Sequence, residues 1–115
     1  MLSTKFFYPT VGMKTGEMYL TLAECKARLG NLSGAMQTVN ILRSKRIKGS
    51  GATLATPATT EETVKLIIDE RRRELAMGFN RFFDLKRLNT ESAYAKTLQR
   101  TFPLVNTTVP QRTYT

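Results

Sequence analysis

The sequence predicts an all-α fold in which a helical hairpin is followed by further helices, with short ends that are extended or irregular. Three observations predict this fold. Apolar residues recur at helical spacing in three segments, a Gly-Asn pair separates the first two, and a capping-box spacing opens the third. A chain of 115 residues is long enough to bury the core of one domain. We therefore expect residues 1–115 to form a single helical domain.

An amphipathic helix is predicted from Gly16 to Leu29, after a short extended piece over residues 5–11. Its apolar face is predicted from residues spaced at i, i+4, i+7 and i+11, which are Met18, Leu22, Cys25 and Leu29. One aromatic and two small residues widen this face: Tyr19, Ala23 and Ala27. Because Cys25 belongs to this face, we expect a buried, inert thiol. Gly30 followed by Asn31 is a C-cap signal that ends the helix.

A second helix follows at once, with Ser33 as its predicted N-cap. Its predicted buried face contains Ala35, Met36, Val39, Leu42 and Arg46. Because small side chains let two helices approach closely, we expect this hairpin to pack through Ala23, Ala27 and Ala35.

A loop is predicted over about residues 47–60, because this stretch is rich in Gly, Ser, Thr and Pro. We expect it to be mobile and to bury little. Thr59 and Glu62 then open a third helix, which is predicted to end at Gly78 and to place these residues on one face: Val64, Ile67, Ile68, Arg71 and Leu75. A short aromatic helix is predicted over residues 79–87, docking as a wedge. Residues 92–99 can add a turn, and the chain beyond Phe102 is expected to be extended or irregular.

The composition excludes several kinds of site. The chain has no His and a single Cys, so it cannot build a His-based zinc site, Ser/His or Cys/His catalysis, or an internal disulfide. No apolar run reaches the ~18 residues that a membrane span needs, and the start of the chain lacks the apolar region of a signal peptide. We expect no cofactor, no metal and no targeting signal in this chain.

The net charge of +9 suggests an anionic partner, but its distribution weakens that interpretation. Residues 26–48 carry six basic residues, no acid and no aromatic ring on which a nucleic-acid base could stack. A solvated helix face explains this segment better than a binding site. We predict no specific nucleic-acid partner, and keep a basic nucleic-acid binder as the third hypothesis.

Four carboxylates stand close together in the second half of the chain and are the candidates for acid–base chemistry: Asp69, Glu70, Glu74 and Asp84. Each has basic residues within one helical turn. Glu70 can reach Arg73, and Asp84 can reach Arg81 or Arg87. Such pairing keeps a carboxylate ionised, which is the wrong state for a general acid. We therefore predict structural ion pairs and assign no catalytic residue.

The first hairpin resembles a tetratricopeptide-type helix pair. The residues that carry this resemblance stand at its large, leucine and small positions: Tyr19, Leu22, Ala23, Ala35 and Val39. No second copy follows at the ~34-residue period, so an ordinary helical hairpin explains the pattern equally well. The resemblance implies a small protein–protein interaction module, which we keep as the alternative function.

Two segments together resemble the C-terminal region of the SusD/RagB family. The first is residues 16–24, with Gly30, Ala35, Asn40 and Arg43 following, and the second is residues 70–75 followed by 78–87. Their order, spacing and Gly-rich interval match a Glu-Met-Tyr-Leu…Ala-Glu helix and a Glu-Arg…Glu-Leu helix that runs into Gly-x-Arg-Trp/Phe-x-Asp-Leu-Lys-Arg. Met77 and Phe82 depart from that pattern, which usually has Glu and Trp there.

The resemblance implies a non-enzymatic, lipid-anchored component at the cell outer membrane that binds oligosaccharide for uptake. Its implied partner is a TonB-dependent transporter of the SusC type. The matched motifs are scaffold motifs, so no sugar-contacting residue is assigned. The chain is much shorter than members of the family and is similar to a fragment of their larger helical scaffold. We therefore expect an exposed apolar face on the third helix, and either self-association through it or marginal stability of the isolated chain.

Overall fold

The computed structural model describes residues 12–101 and 113–114 of the chain. It divides the chain into two compact units, residues 1–77 and residues 78–115. The first contains α1 (Thr15–Arg28), α2 (Leu32–Arg46), a 3-10 turn (Ser50–Ala52) and α3 (Thr60–Glu74). The second contains α4 (Asn80–Leu88) and two two-residue strands, β1 (Arg100–Thr101) and β2 (Thr113–Tyr114). The predicted all-α class is confirmed.

The turn between α1 and α2 is a Schellman motif followed directly by a helix cap. Gly30 has φ +84°, its N–H donates to the Ala27 carbonyl over 3.0 Å, and the Asn31 N–H donates to the Lys26 carbonyl over 2.9 Å. The Asn31 side-chain oxygen then accepts a hydrogen bond from the Gly34 N–H, also over 2.9 Å. Asn31, and not Ser33 as predicted, therefore caps α2.

The core of the first unit lies where α1 contacts both α2 and α3. Ala23, Ala27 and Ala35 are fully buried, which confirms the predicted small-residue packing of the hairpin. Four larger apolar side chains of the hairpin are also buried: Leu20, Met36, Val39 and Leu42. Polar bonds tie the same helices together, since Lys26 Nζ donates to Thr38 Oγ1 over 3.0 Å and Arg71 Nη1 to Thr21 Oγ1 over 3.1 Å.

The predicted apolar face of α1 is confirmed at Ala23 and Ala27 and is wrong at Met18, Leu22, Cys25 and Leu29. Its buried residues are Gly16, Leu20, Ala23, Glu24 and Ala27, whereas Met18, Leu22 and Leu29 are 57%, 49% and 85% exposed. Cys25 is exposed as well, so the expected buried thiol is also wrong. α1 contacts both α2 and α3, and its buried face combines Leu20 with the small residues Gly16, Ala23 and Ala27.

The third helix begins as predicted but is covered rather than exposed. Thr59 Oγ1 accepts a hydrogen bond from the Glu62 N–H over 3.2 Å, which is the predicted cap. Val64 and Ile67 are fully buried and Leu75 is 4% exposed, because α3 packs on α1 and α2. The expected exposed apolar face on this helix is therefore wrong. The helix ends at Glu74, with Leu75 as its C-cap, before the predicted Gly78.

In the second unit, α4 corresponds to the short aromatic helix that the sequence predicts. Asp84 and Leu88 are its buried residues. Phe79, Phe82 and Phe83 are all more than half exposed, so the predicted aromatic wedge is not buried. The two strands pair antiparallel, with Arg100 opposite Tyr114. The predicted extended piece over residues 5–11 and most of the chain beyond Phe102 lie outside the described residues.

Candidate functional site

Two side chains of α2 hold the loop that follows it. Asn40 makes a pair of hydrogen bonds with the backbone of Leu54, donating to its carbonyl over 3.0 Å and accepting from its N–H over 2.9 Å. Arg43 donates through Nε to the Ala52 carbonyl over 2.8 Å and through Nη2 to the Gly51 carbonyl over 2.9 Å. Ala52 is buried as a result. The prediction that this loop has little to bury is therefore wrong.

The third nitrogen of the Arg43 guanidinium, Nη1, joins α2 to α3. It donates to Glu70 Oε2 over 2.8 Å, and each of the two side chains is only 9% exposed. Arg73, one turn further along α3, donates to the same oxygen over 2.6 Å. Each of the three guanidinium nitrogens of Arg43 thus donates one hydrogen bond, two to the loop and one to Glu70, because its planar fork reaches three acceptors at once.

A second Arg–Glu pair joins the same two helices nearer to solvent. Arg46 donates to both carboxylate oxygens of Glu74, with Nη2 lying 2.7 Å from Oε1. The hydrogen bonds and the charge of Glu74 raise the pKa of Arg46 above its usual value. An upward shift means that Arg46 keeps its charge throughout the physiological pH range and loses it only in strong alkali. The pair is therefore insensitive to pH in the physiological range.

Glu74 also lies against α1, at the position where that helix lacks a side chain. A Cβ placed on Gly16 would come 2.5 Å from Glu74 Oε1, and Gly16 is buried. Since Glu74 is held by Arg46, it cannot swing away without breaking that bond. Gly16 therefore permits α1 to pass close to the end of α3.

The four candidate carboxylates are not brought together as an acid–base site. Glu70 and Glu74 bond to arginines of α2, and the predicted pairs Glu70–Arg73 and Asp84–Arg87 are both present, at 2.6 and 3.3 Å. Asp69 is exposed on α3. Glu70, Glu74 and Asp84 each accept a hydrogen bond from an arginine, which suits a structural role.

We call the bonds of Asn40 and Arg43 to the loop, together with the Arg43–Glu70 pair, the clamp. An open cleft of about 550 Å³ lies beside it. Its lining comes from α2, the loop and α3: Arg43, Ile47, Leu54, Leu66, Asp69 and Arg73. The lining combines aliphatic side chains with one carboxylate and two guanidinium groups, and it contains no aromatic ring. Sequence reasoning missed this cleft, because it depends on the loop folding back onto α2.

Two general features bear on the class of protein. Within residues 12–101 and 113–114, no group of three Cys, Asp or Glu side chains is arranged to hold a metal ion. In the same residues, no helix combines the length and the apolar character that crossing a bilayer requires.

Comparison with protein families gives a match over residues 8–110, to the SusD family. Because that match covers most of its length, the chain belongs to the SusD family, and the predicted resemblance is confirmed. The family is one of carbohydrate-binding, non-catalytic proteins with a broad role in nutrient uptake. Comparisons with curated proteins and with solved structures gave no significant match.

Proposed function

We propose that the chain forms part of a component that binds oligosaccharide at the bacterial outer membrane and passes it to a TonB-dependent transporter of the SusC type. The observation that carries this proposal is the family match over residues 8–110. The component does no chemistry on the sugar. In its parent protein we place it on the cell surface, held by a lipid anchor.

The contacts inside the first unit support a scaffold role for the residues that match the family motifs. Asn40 and Arg43 donate hydrogen bonds to the loop, and Glu70 and Glu74 form ion pairs with arginines of α2. These bonds hold the four side chains within the fold and leave fewer of their polar groups for a sugar. The oligosaccharide is therefore expected to contact other residues of the parent protein, and none of the motif residues is proposed as a sugar ligand.

The proposal is tested in the bacterium that carries the gene. The gene product is tagged at its chromosomal locus, membranes are dissolved in mild detergent, and proteins that copurify with the tag are identified. A parallel strain lacking the gene is grown on a panel of oligosaccharides and on their constituent monosaccharides. We expect a TonB-dependent transporter to copurify, and growth to fail on one oligosaccharide while the matching monosaccharide still supports it.

The result that would contradict the proposal is a tagged protein without a transporter, together with unchanged growth on every oligosaccharide. Monosaccharide growth is the matched control, because it separates a loss of uptake from a general growth defect.

One observation favours the alternative, a tetratricopeptide-like module for protein–protein interaction. The outer side of α1 exposes Met18, Leu22 and Leu29, and an exposed apolar row on a helix is typical of an interaction surface. The same experiment separates the two functions. A stable protein partner that is not a transporter, with normal growth on oligosaccharides, would support the module instead.

A further inference from the structure

The outer face of α1 carries a row of exposed apolar side chains, which we call the α1 seam: Met18, Leu22, Cys25 and Leu29. Met18, Leu22 and Leu29 are 57%, 49% and 85% exposed, while Leu20, Ala23 and Ala27 on the opposite face are fully buried. A helix that is apolar on both faces is ordinarily covered on both. The α1 seam is therefore expected to be covered by another surface on association.

The spacing of the seam is that of a helix–helix contact. Its residues are separated by four, three and four positions, which is the alternation of the a and d positions of a heptad. Two helices with this spacing pack side by side along their length. The seam thus fits another helix better than it fits an irregular segment or a flat surface.

The same spacing is unchanged when it is read backwards. If two copies of α1 meet antiparallel across a two-fold axis, Met18 of each copy lies opposite Leu29 of the other, and Leu22 lies opposite Cys25. A two-fold contact requires a surface that is complementary to itself, and an unbroken four-three-four row meets that requirement.

The charges beside the seam also favour the antiparallel arrangement. Glu17 lies at the N-terminal end of α1, and Lys26 and Arg28 lie in its last turn. An antiparallel pair brings each Glu17 towards the basic end of the other copy, and it also aligns the two helix dipoles favourably. A parallel pair would place the basic ends of both copies together.

We propose that two copies of this chain associate through the α1 seam, with their α1 helices antiparallel. From Met18 to Leu29 the seam spans about 16 Å of helix. That length provides less than the ~800 Å² per partner of a standard interface, so the dimer is weak. Each copy carries a net charge of +9, which opposes association at low ionic strength. Added salt therefore strengthens the dimer, the opposite of what a charge-driven complex would show.

The first test is sedimentation equilibrium over a range of protein concentrations, in low and in high sodium chloride. The variant is Leu22→Glu, which places a charge in the middle of the seam. Its matched control is Ile41→Glu on α2, since Ile41 is 51% exposed and Leu22 is 49% exposed. We expect Leu22→Glu to weaken the dimer at least about tenfold, and Ile41→Glu to change it less than about twofold.

A chain that stays monomeric at every concentration and salt level would overturn the proposal. Equal weakening by Leu22→Glu and Ile41→Glu would overturn it too, because association would then not depend on the seam. Circular dichroism of both variants checks that they remain folded, as expected for changes at exposed positions.

The second test uses Cys25, the chain's single thiol. Under the proposal, its alkylation by a maleimide slows as the protein concentration rises, and in Leu22→Glu it does not. With oxidised glutathione as the oxidant, Leu22→Cys forms a disulfide-linked dimer, because the introduced thiol lies opposite Cys25 of the other copy. Linking of Leu22→Cys that is no faster than linking of the unaltered chain through Cys25 alone would overturn the antiparallel arrangement.

Discussion

Arg43 of α2 and Glu70 of α3 form an ion pair 2.8 Å long whose two side chains are each 9% exposed. The same arginine holds the loop through the carbonyls of Gly51 and Ala52. One side chain therefore connects α2, the loop and α3. This connection explains how a segment rich in Gly, Ser and Thr becomes part of the packed unit.

Asn40 is expected to protect the loop from opening. Asn40→Ala removes both of its bonds to the Leu54 backbone. At ~0.5–1.5 kcal/mol for each hydrogen bond, the loss is about 1–3 kcal/mol. Amide hydrogen exchange at Leu54 should become at least about fivefold faster. Gln37→Ala, at an exposed position of the same helix, is the control and should leave Leu54 unchanged. A rate of amide hydrogen exchange at Leu54 that is the same in Asn40→Ala and in the unaltered chain would contradict this role of Asn40.

The hairpin contact is expected to tolerate no larger side chain at Ala35. Ala35 is fully buried, so Ala35→Leu overpacks the contact between α1 and α2 at a cost of ~1–3 kcal/mol. The melting temperature should fall. Gln37→Leu adds an apolar side chain to the exposed side of the same helix and should change stability little. A melting temperature that Ala35→Leu leaves unchanged would show that the packing assignment is wrong.

The turn between the first two helices is expected to require glycine at position 30. Gly30 has φ +84°, and nothing within 4 Å would meet an added Cβ, so Gly30→Ala tests backbone conformation alone. We expect a loss of about 1 kcal/mol in the free energy of unfolding. Gly51→Ala is the matched control, because Gly51 is equally open but does not have a positive φ. Equal stability of the two variants would contradict this account of the turn.

The basic excess is expected to give weak binding to polyanions without sequence preference. Residues 26–48 hold six basic side chains, but several are engaged within the fold, as Arg43 and Arg46 are with glutamates. Affinity for DNA should fall steeply with added salt, as phosphate contacts alone predict. A filter-binding series with one duplex and its scrambled version measures both properties. Tight binding at physiological salt that distinguishes the two duplexes would support the nucleic-acid hypothesis.

Local patterns predicted the helices and part of their ends. The helical periods, the Gly30 turn and the Thr59 cap depend on residues within a few positions of each other, which a sequence displays directly. The buried face of α1 was not predicted correctly, because that helix carries two apolar rows on opposite sides. The predicted face combined Met18 and Leu22 with Ala23 and Ala27, whereas only the two alanines of these four residues are buried.

The clamp and the cleft beside it could be predicted only in part. Asn40, Arg43 and Glu70 all belong to the segments that resemble the family, but the contacts that join α2 to the loop and to α3 link positions eight to 27 apart along the chain. Helical periodicity contains no information on contacts of that range. The same limit explains why the loop after α2 was expected to bury little.

The central claim is that the family-motif residues Arg43 and Glu70 act together as a buried structural pair. A double-mutant cycle with Arg43→Met and Glu70→Leu measures this most directly, by urea unfolding of the four chains. Breaking a buried pair costs ~3–5 kcal/mol, whereas replacing both partners by apolar residues costs much less.

We expect each single variant to lose far more stability than Arg46→Met or Glu74→Leu, whose pair is more exposed. We also expect the Arg43→Met/Glu70→Leu double variant to recover at least about 2 kcal/mol relative to the sum of the two single losses. Additive losses at Arg43 and Glu70, no more coupled than those at Arg46 and Glu74, would contradict the account.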